Sequence, residues 1–356
     1  MTYDYIIVGS GLAGICFAET ALQNNKRVLV INDSSQNSSR IAAGLYNPVI
    51  LKRFTEVWQS KQQLSLLYDF YAHLEKKLNV NLDYKIPLLR KFFSIEEQNN
   101  WFAASDKPAL TDYLSTQLIT NKYECIDASF GFGQVLHTGY IDTLALITSY
   151  TDYLLKTNSY INETFNHNEI LFKDHETTYR DYKCKHIVFA EGYGMLSNPF
   201  FKELPLDGAK GEIVLIKAPN LKLDVTIKTS IFVIPIGNDI YKVGATYNWT
   251  DKTNTPTDEG KLELLSELKE LIQCDFAVID HYAGIRPTVK DRKPMLGSHP
   301  TFKNLHLLNG LGTRGVMLAP SMAKMLFEYI EHGTDLDNQV NIQRFKTAFS
   351  SLYQNE

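Results

Sequence analysis

A glycine-rich turn near the N-terminus restricts the fold of this 356-residue chain more than any other feature. Gly9, Gly11 and Gly14 stand directly after the apolar run at 5–8 and before a segment whose apolar spacing is helical. In a G-x-G-x-x-G turn the first glycine permits a tight turn, the second lets the backbone approach a pyrophosphate, and the third allows close helix–strand packing. The N-terminal amides of the helix then face the phosphates. Because a second apolar run follows at 27–33, the turn predicts a βαβ unit that binds a dinucleotide.

The end of the second strand bears on which dinucleotide is bound. An acidic residue at this position commonly binds the ribose hydroxyls. Here Asn32 occupies the position and Asp33 follows it, so either Asn32 makes a neutral hydrogen bond or Asp33 takes the role. No arginine stands here to accept a 2′-phosphate, which disfavours NADP and leaves NAD and FAD both open.

The βα pattern recurs near residue 185 and near residue 305, whereas the middle of the chain carries strands without intervening helices. We therefore expect an α/β fold in which a Rossmann-like, doubly wound domain is assembled from distant segments. A second, α+β domain built on a mainly antiparallel sheet is inserted between them. Residues 96–121 are expected to be helical and irregular. The expected segments are 1–80, 137–208 and 284–356 for the first domain, and 81–136 and 209–283 for the second.

Composition narrows the functional classes. The formal net charge of -4 gives no general attraction for nucleic acid, although a local basic patch can hide in a near-neutral total. No apolar run approaches the roughly 20 residues of a membrane helix, and the N-terminus lacks the pattern of a signal peptide. The four cysteines are scattered without a CxxC pair, so neither a metal site nor a disulfide framework is indicated. We expect a cytoplasmic protein that does not bind a membrane.

The C-terminal third carries motifs that point to a particular chemistry. Residues 282–300 (YAGIRPTVKDRKPMLGSHP) and 304–323 (NLHLLNGLGTRGVMLAPSMA) resemble the D-amino-acid-oxidase-like FAD oxidoreductases, which include glycine oxidase and sarcosine oxidase. The shared pattern is an Arg-Pro, an Asp-x-x-Pro-x-x-Gly, a strand, a glycine turn and a helix that begins near Ala-Pro. Residues 38–49, residues 187–194 and the strands AKGEIVLI and YKVGATY resemble further segments of that family in the same order.

The resemblance implies a Rossmann-like FAD-binding domain of the glutathione-reductase type beside a substrate domain. It implies FAD that is not covalently attached, because no cysteine lies at 282–297, where some members attach flavin. The glycine turn at 310–315 would present backbone amides and a helix N-terminus that stabilise negative charge on the reduced flavin ring. The residues expected to bind FAD are Gly9, Ser10, Gly11, Leu12, Ala13, Gly14, Asn32, Asp33, Ser39, Arg40, Ala43, Gly44, Leu45, Phe165, Ala190, Glu191, Gly192, Gly310, Leu311, Gly312, Thr313, Arg314 and Gly315.

Flavin-dependent amine oxidation needs orientation of the substrate more than acid–base groups, and an arginine fork that binds a carboxylate bidentately provides it. The resemblance places Arg286 at the family's Arg-Pro position, which grips the substrate carboxylate in glycine-oxidase-like members. The alternative is a structural ion pair with an acid such as Asp291. Arg314 is one place away from the arginine of the glycine oxidase pattern and is a second candidate for substrate contact.

Two residues of the strand YKVGATY are further candidates. Tyr247 could cap the substrate, or pack only on its strand neighbours. Lys242 matches a position near which sarcosine-oxidase-like enzymes carry a lysine that promotes reaction of reduced flavin with oxygen, although a solvated surface lysine is the ordinary alternative. In a regular strand the two side chains would lie on opposite faces unless a bulge occurs at Gly244. Tyr46 and Arg53, just after the loop at 38–49, are vaguer candidates near the site.

These observations predict an FAD-dependent oxidoreductase that oxidises the C–N bond of an amine or amino acid, of N-substituted glycine or D-amino-acid type, to an imine. The segments at 42–49 (AAGLYNPV) and 310–315 (GLGTRG) are similar to the FAD domain of the bifunctional enzyme that completes 5-methylaminomethyl-2-thiouridine in tRNA. An oxidase acting on a carboxymethylaminomethyl group of a tRNA wobble uridine is therefore one alternative, although tRNA is not the favoured partner. A non-catalytic flavin-binding protein is another. A basic stripe at the flavin opening would favour tRNA, and a pocket closed by bulky side chains would favour the non-catalytic protein.

Overall fold

The N-terminal glycine turn joins a strand to a helix in the computed structural model of the chain, which describes residues 2–173 and 176–349. Gly9 has a φ of 103°, in the left-handed region, and a Cβ there would lie 2.4 Å from the carbonyl oxygen of Ala190. A Cβ on Gly14 would lie 1.9 Å from the carbonyl oxygen of Gly9. Only glycine fits at these two positions, and the predicted βαβ unit is confirmed.

The strands are numbered here in chain order. They are β1 (Thr2–Val8), β2 (Val28–Asn32), β3 (Leu45–Tyr46), β4 (Val49–Ile50), β5 (Thr55–Glu56), β6 (Asp83–Tyr84), β7 (Leu88–Lys91), β8 (Leu114–Ile119), β9 (Phe132–Val135), β10 (Gly139–Ile141), β11 (Tyr160–Asn162), β12 (Ile170–Lys173), β13 (Glu176–Tyr179), β14 (Tyr182–Phe189), β15 (Leu206–Lys217), β16 (Thr226–Lys228), β17 (Phe232–Pro235), β18 (Ile240–Gly244), β19 (Ala277–Val289), β20 (Met295–Ser298) and β21 (Leu305–Asn309).

The α-helices follow the same convention, and short 3₁₀ segments occur at 167–169, 192–197, 312–314 and 342–349. The α-helices are α1 (Leu12–Gln23), α2 (Ser38–Ile41), α3 (Ser60–Leu78), α4 (Ile95–Ser105), α5 (Thr143–Lys156), α6 (Asp258–Leu271) and α7 (Gly315–His332). No helix within the described residues has the length and apolar character needed to cross a membrane.

The first sheet is built on parallel strands. β1 lies between β2 and β14, β11 extends the sheet beyond β2, and β21 pairs with the second half of β14. β13 and β12 form an antiparallel extension on the first half of β14, and β20 runs antiparallel to β21. Because β1, β2, β14 and β21 are parallel, their carboxyl ends meet at one edge, where open α/β sheets bind their ligands. Helices α1, α3, α5 and α7 contribute to the apolar core on one face of this sheet.

The second sheet has the order β19-β15-β18-β17-β16-β7-β9-β8. Its neighbouring strands are antiparallel except for β16 and β7. An apolar core that includes Leu264 and Leu268 of α6 packs on one face of this sheet. The Rossmann-like sheet and the mainly antiparallel second sheet confirm the predicted fold class.

Two long strands connect the sheets to the site. β15 and β19 pair from Leu206 with Val289 to Lys217 with Ala277. The predicted domain boundaries after residues 208 and 283 fall inside these strands, which continue across them; the division into two domains stays a prediction. One local expectation is wrong. The segment at 96–121 is helical only as far as Ser105, and its second half contains β8, which pairs with β9.

Candidate active site

A cavity of about 580 Å³ lies between the carboxyl edge of the first sheet and one face of the second sheet. Its walls come from the turn after β1, the end of β2, the segment at 35–47, the turn after β14 and the N-terminus of α7. The second sheet contributes Gly211 and Ile213 of β15, Phe232 of β17, and Gly284 and Arg286 of β19. An open α/β sheet is expected to bind a ligand in this crevice.

At one end of the cavity the N-terminus of α1 is exposed to it. The N-cap residue Gly11 has no side chain to satisfy the first amides, and the Leu12 amide donates to Ser39 Oγ at 3.2 Å. The Ser10 amide donates to Asn32 Oδ1 at 3.3 Å. Asn32 thus occupies the place predicted for a ribose contact and also holds the glycine turn.

Asp33 lines the same end of the cavity and is exposed. Burial works against its ionisation, but hydrogen bonds from Ser35 and from Thr164 Oγ1, the latter at 3.0 Å, hold the pKa of Asp33 below its usual value. An ionised carboxylate therefore stands beside Asn32. Both residues that the sequence left as alternatives line this end of the cavity, and which of them would contact a ribose stays a prediction.

The wall after β14 contains an acidic side chain that is held by neighbours. Glu191 lies 2.9 Å from His167 Nε2, and its other oxygen accepts from Asn198 Nδ2 at 2.6 Å. Glu191, His167 and the predicted Phe165 all line the cavity. Since the carboxylate is already bonded, it fixes the shape of this wall.

The N-terminus of α7 and the turn Leu311–Gly315 also reach the cavity, close to the start of α1, since a Cβ on Gly315 would lie 2.9 Å from Leu12 Cδ1. Arg314 is the N-cap of α7, and its Nη1 atom is buried and has no hydrogen-bond partner among the described residues. Burial lowers the pKa of Arg314, and the nearby Tyr247 opposes that shift. A buried guanidinium with an unmet donor is the kind of group that binds an anionic or carbonyl ligand.

Arg286 enters the cavity from β19. Its guanidinium lies against β15, where a Cβ on Gly211 would stand 1.9 Å from Nη2. Its Nη1 donates to the backbone oxygens of Lys210 at 3.4 Å and Thr246 at 3.2 Å. Burial lowers the pKa of Arg286. In the part of the chain that the structure describes, no carboxylate lies within salt-bridge distance of this side chain.

The structural alternative for Arg286 was a pair with Asp291. That carboxylate instead accepts from Arg344 Nε at 2.8 Å. Arg286 is thus a mostly buried cation that faces a cavity, and its charge is not balanced by this acid.

Tyr247 lies over the same guanidinium, with Arg286 Cζ 4.5 Å from its ring centre. The chain after β18 stays beside β15 but shifts register by one residue, because Gly244 pairs with Ile213 whereas Asn248 bridges Lys210. This one-residue offset, the irregularity considered from the sequence, puts Tyr247 on the cavity face.

Lys242 lies on the same face of the second sheet as Tyr247 but further from the site. It pairs with Leu215, is half-buried, and is not part of the cavity wall. Burial lowers its pKa, and Asp142 opposes the shift. Its proposed role with oxygen stays a prediction. Because its side chain is half-buried, Lys242 differs from the freely solvated lysine that was the alternative.

Sequence reasoning missed Lys228, which lines the cavity from β16. Its amino group donates to the backbone oxygens of Thr229, Ser230 and Ile231, and burial lowers its pKa to about 8. Nothing in the sequence around a lysine on a three-residue strand indicates that its side chain faces a cavity. Only the pairing of β16 with β17 brings it opposite Phe232, another residue of the cavity wall.

Most of the predicted site residues meet at this cavity, and their individual roles stay predictions. Tyr46 is also in the wall, whereas Arg53 is exposed and outside it. The predicted residues outside the wall are Ser10, Gly14, Arg40, Gly310 and Lys242. Those in the wall are Gly9, Gly11, Leu12, Ala13, Asn32, Asp33, Ser39, Ala43, Gly44, Leu45, Phe165, Ala190, Glu191, Gly192, Tyr247, Arg286, Leu311, Gly312, Thr313, Arg314 and Gly315.

Comparison with known proteins agrees with this geometry. A protein-family model described as "FAD dependent oxidoreductase" matches residues 4–329. Glycine oxidase of Bacillus subtilis is 22% identical over 356 residues, covering 92% of this chain and 93% of that protein. The tRNA 5-methylaminomethyl-2-thiouridine biosynthesis bifunctional protein MnmC of Marinobacter nauticus is 27% identical over 193 residues, covering 50% of this chain and 30% of that protein. The crystal structure of glycine oxidase from Geobacillus kaustophilus superimposes with a TM-score of 0.76 at 19% identity, covering 94% of this chain and 96% of that one.

Proposed function

The chain belongs to the family of FAD-dependent oxidoreductases, and we propose that it oxidises the C–N single bond of an amine or amino acid, with Arg286 holding the substrate's carboxylate. The product is an imine, which water hydrolyses to a carbonyl compound and an amine. Two proteins that match along most of the chain are glycine oxidases, and their names support this substrate class.

The observation that carries the proposal is the state of Arg286. Removing a guanidinium from water without a counter-ion is costly, and such charges in proteins are normally paired. Arg286 is mostly buried, donates only to backbone oxygens, and faces a cavity large enough for a ligand. A substrate carboxylate would supply the missing charge and could bind both arms of the fork.

The residues that line the cavity fit FAD, the cofactor of the family. The N-terminus of α1 would face the pyrophosphate, Asn32 and Asp33 would contact the ribose, and the N-terminus of α7 would face the flavin. When bound, FAD would accept the hydride, and with it the two electrons, that leave the substrate carbon. The protein's part is to bind and orient: Arg286 fixes the carboxylate, Tyr247 covers the guanidinium, and Arg314 offers a second donor nearby.

The first test is anaerobic mixing of the purified protein with a panel of N-substituted glycines, D-amino acids and tRNA carrying carboxymethylaminomethyl uridine. Bleaching of the flavin absorbance identifies the substrate. A second candidate function, oxidation of the tRNA-attached group, rests on the similarity to MnmC and would be chosen if only the modified tRNA bleaches the flavin. No bleaching by any member of the panel would contradict the proposed substrate class.

The second test is Arg286→Lys, which keeps the charge and removes the fork. A charge-assisted bidentate contact is worth on the order of 2–4 kcal/mol, so kcat/KM should fall roughly thirty- to nearly a thousandfold. FAD content should remain near that of the unmodified protein, because Arg286 is assigned to the substrate. Unchanged kinetics with full flavin occupancy would show that Arg286 is structural and would move the anchor to Arg314. Loss of flavin would place Arg286 against the cofactor.

A further inference from the structure

We propose that the buried Lys210 and the partly exposed Asp251 form a clamp that holds the segment 246–257 against β15 and thereby positions Tyr247 and Arg286 for the substrate. The positioning role rests on the proposed function of Arg286. The clamp itself concerns residues that do not line the cavity, and it can be tested without any substrate.

Lys210 is a fully buried lysine whose side chain is 1% exposed. Its amino group lies 2.5 Å from Asp251 Oδ2 and 2.5 Å from the backbone oxygen of Thr255, with Thr253 Oγ1 at 3.3 Å. Three polar groups of one segment therefore converge on a single cation that water cannot reach. The hydrogen bond from Lys210 lowers the pKa of Asp251 to about 2, so this carboxylate is ionised at neutral pH.

Glu212, two residues along β15, completes the attachment. Its carboxylate lies 3.6 Å from the Lys210 amino group and accepts from the amide of Thr257 at 3.0 Å and from Thr257 Oγ1 at 2.8 Å. Thr257 is also the N-cap of α6. The segment is thus fixed at its end by Glu212 and in its middle by Lys210. A buried charge that loses its partner is strongly destabilising, so this arrangement resists local opening.

The same stretch of β15 supports the cavity face. Lys210 and Glu212 point away from the cavity, whereas Gly211 between them faces it and accommodates the guanidinium of Arg286. The backbone oxygen of Lys210 accepts both from Arg286 Nη1 and from the amide of Asn248. Thr246 Oγ1 accepts from the amide of Glu212 at 3.0 Å. Tyr247 therefore lies between Thr246 and Asn248, and both of these residues are hydrogen-bonded to β15.

An ion pair elsewhere in the fold would not be expected to affect the positions of Tyr247 and Arg286. If the segment moves, Tyr247 leaves Arg286, and the backbone oxygen of Thr246 that fixes Nη1 moves with it. The clamp should therefore affect substrate binding in particular. It should leave unchanged the rate of flavin reduction at saturating substrate and the amount of FAD bound.

The test uses Asp251→Ala, because Asp251 lies in an exposed segment and its loss leaves Lys210 three other partners, Thr253, Thr255 and Glu212. The matched control is Asp258→Ala. It makes the same change at an exposed carboxylate one residue beyond the segment, which makes no ion pair among the described residues. Both variants are made on the FAD-loaded protein, and each is also combined with Arg286→Lys.

We expect hydrogen exchange of the amides at 246–257 to quicken in Asp251→Ala and not in Asp258→Ala. The dissociation constant of the amine that bleaches the flavin should rise at least fivefold in Asp251→Ala, with the limiting reduction rate within twofold. In the Arg286→Lys background Asp251→Ala should add no further loss. Unchanged exchange would overturn the clamp, and faster exchange with unchanged affinity would overturn its positioning role. An Arg286→Lys variant with unaltered affinity would instead contradict the proposed function, independently of the exchange result.

Discussion

Gly211→Ala should disable the site through a single methyl group. A Cβ at this position would lie 1.9 Å from Arg286 Nη2 and 2.1 Å from Cζ. Heavy atoms in contact prefer a separation of about 3.5–4.0 Å, so the guanidinium would have to retreat by roughly 1.6 Å or more. Gly211 has no positive φ, so alanine suits the backbone and the clash falls on the arginine.

The expected size of the effect follows from that displacement. A misplacement of about 1 Å in a binding group can cost roughly 100-fold in rate, so kcat/KM should fall by about two orders of magnitude, or about 2.7 kcal/mol. Retreat of Arg286 also breaks its bonds to Lys210 and Thr246, each worth about 1 kcal/mol of stability. The free energy of unfolding should therefore drop by about 2 kcal/mol while FAD stays bound.

The assay is anaerobic stopped-flow reduction of the flavin over a range of amine concentrations, with urea unfolding measured in parallel. The control is a double-mutant cycle with Arg286→Ala, because a clash that acts through Arg286 should cost nothing further once that side chain is gone. If Gly211→Ala keeps the kcat/KM of the unmodified protein, then the observed position of the guanidinium is not the productive one and the assignment of Arg286 is wrong. If the losses add in the double variant, Gly211 acts on the substrate by another route.

The other predictions concern the cofactor and two sets of titrating groups. Acid or heat should release all the flavin as FAD, measured by chromatography of the supernatant, and flavin left on the denatured chain would contradict noncovalent binding. Burial lowers the pKa of His299 to about 4 and that of His306 well below its usual value, so both stay neutral in the folded state and take up protons near pH 6.5 when unfolded. The free energy of unfolding should thus fall as pH drops from 7 to 5, by at most about 1.4 kcal/mol per pH unit for each histidine. Urea denaturation of His299→Phe should give a shallower dependence on pH than that of the unmodified protein, and an unchanged slope would contradict the share assigned to His299. Since burial lowers the pKa of Lys228 to about 8, the cavity loses a positive charge as pH rises through that value. Binding of acetate, followed by perturbation of the flavin spectrum, should weaken between pH 7 and 9 in the unmodified protein, and the inflection should be absent in Lys228→Met.

The sequence was sufficient where one local pattern determines one structure. The turn at Gly9 and Gly14 has a steric requirement that no other residue meets, and the apolar runs on either side of it make the parallel pairing of β1 and β2 predictable. Arg286 could be chosen because a motif marks it, and the structure places it in the cavity. The ion-pair alternative with Asp291 could be decided only from coordinates, because Arg344, more than 50 residues away in the chain, takes that carboxylate.

The rest depended on register and on contacts between distant segments. Whether Tyr247 and Lys242 share a face turns on a one-residue offset after Gly244, which alternation alone leaves open. Lys228 faces the cavity because β16 pairs with β17, and Lys210 is buried because a later segment folds over it. β8 was expected to be helical because the apolar spacing of short irregular segments fits either period.

The strand order of the first sheet also determines when, during synthesis of the chain, the cofactor site can form. β1, at residues 2–8, lies between β2 and β14, but β14 ends at Phe189 and its outer neighbour β21 ends at Asn309. At about 5–20 residues per second, a ribosome needs roughly 15–60 s to make the roughly 300 residues from the end of β1 to the end of β21. For the first part of that interval, until β14 and Ala190 have been made, the glycine turn lacks the strand that supports Gly9. For the rest of it, β21 is still missing from the sheet. Capture of the cofactor must therefore wait until almost the whole polypeptide has left the ribosome, and the apolar edges of β1 and β2 need protection from aggregation until then.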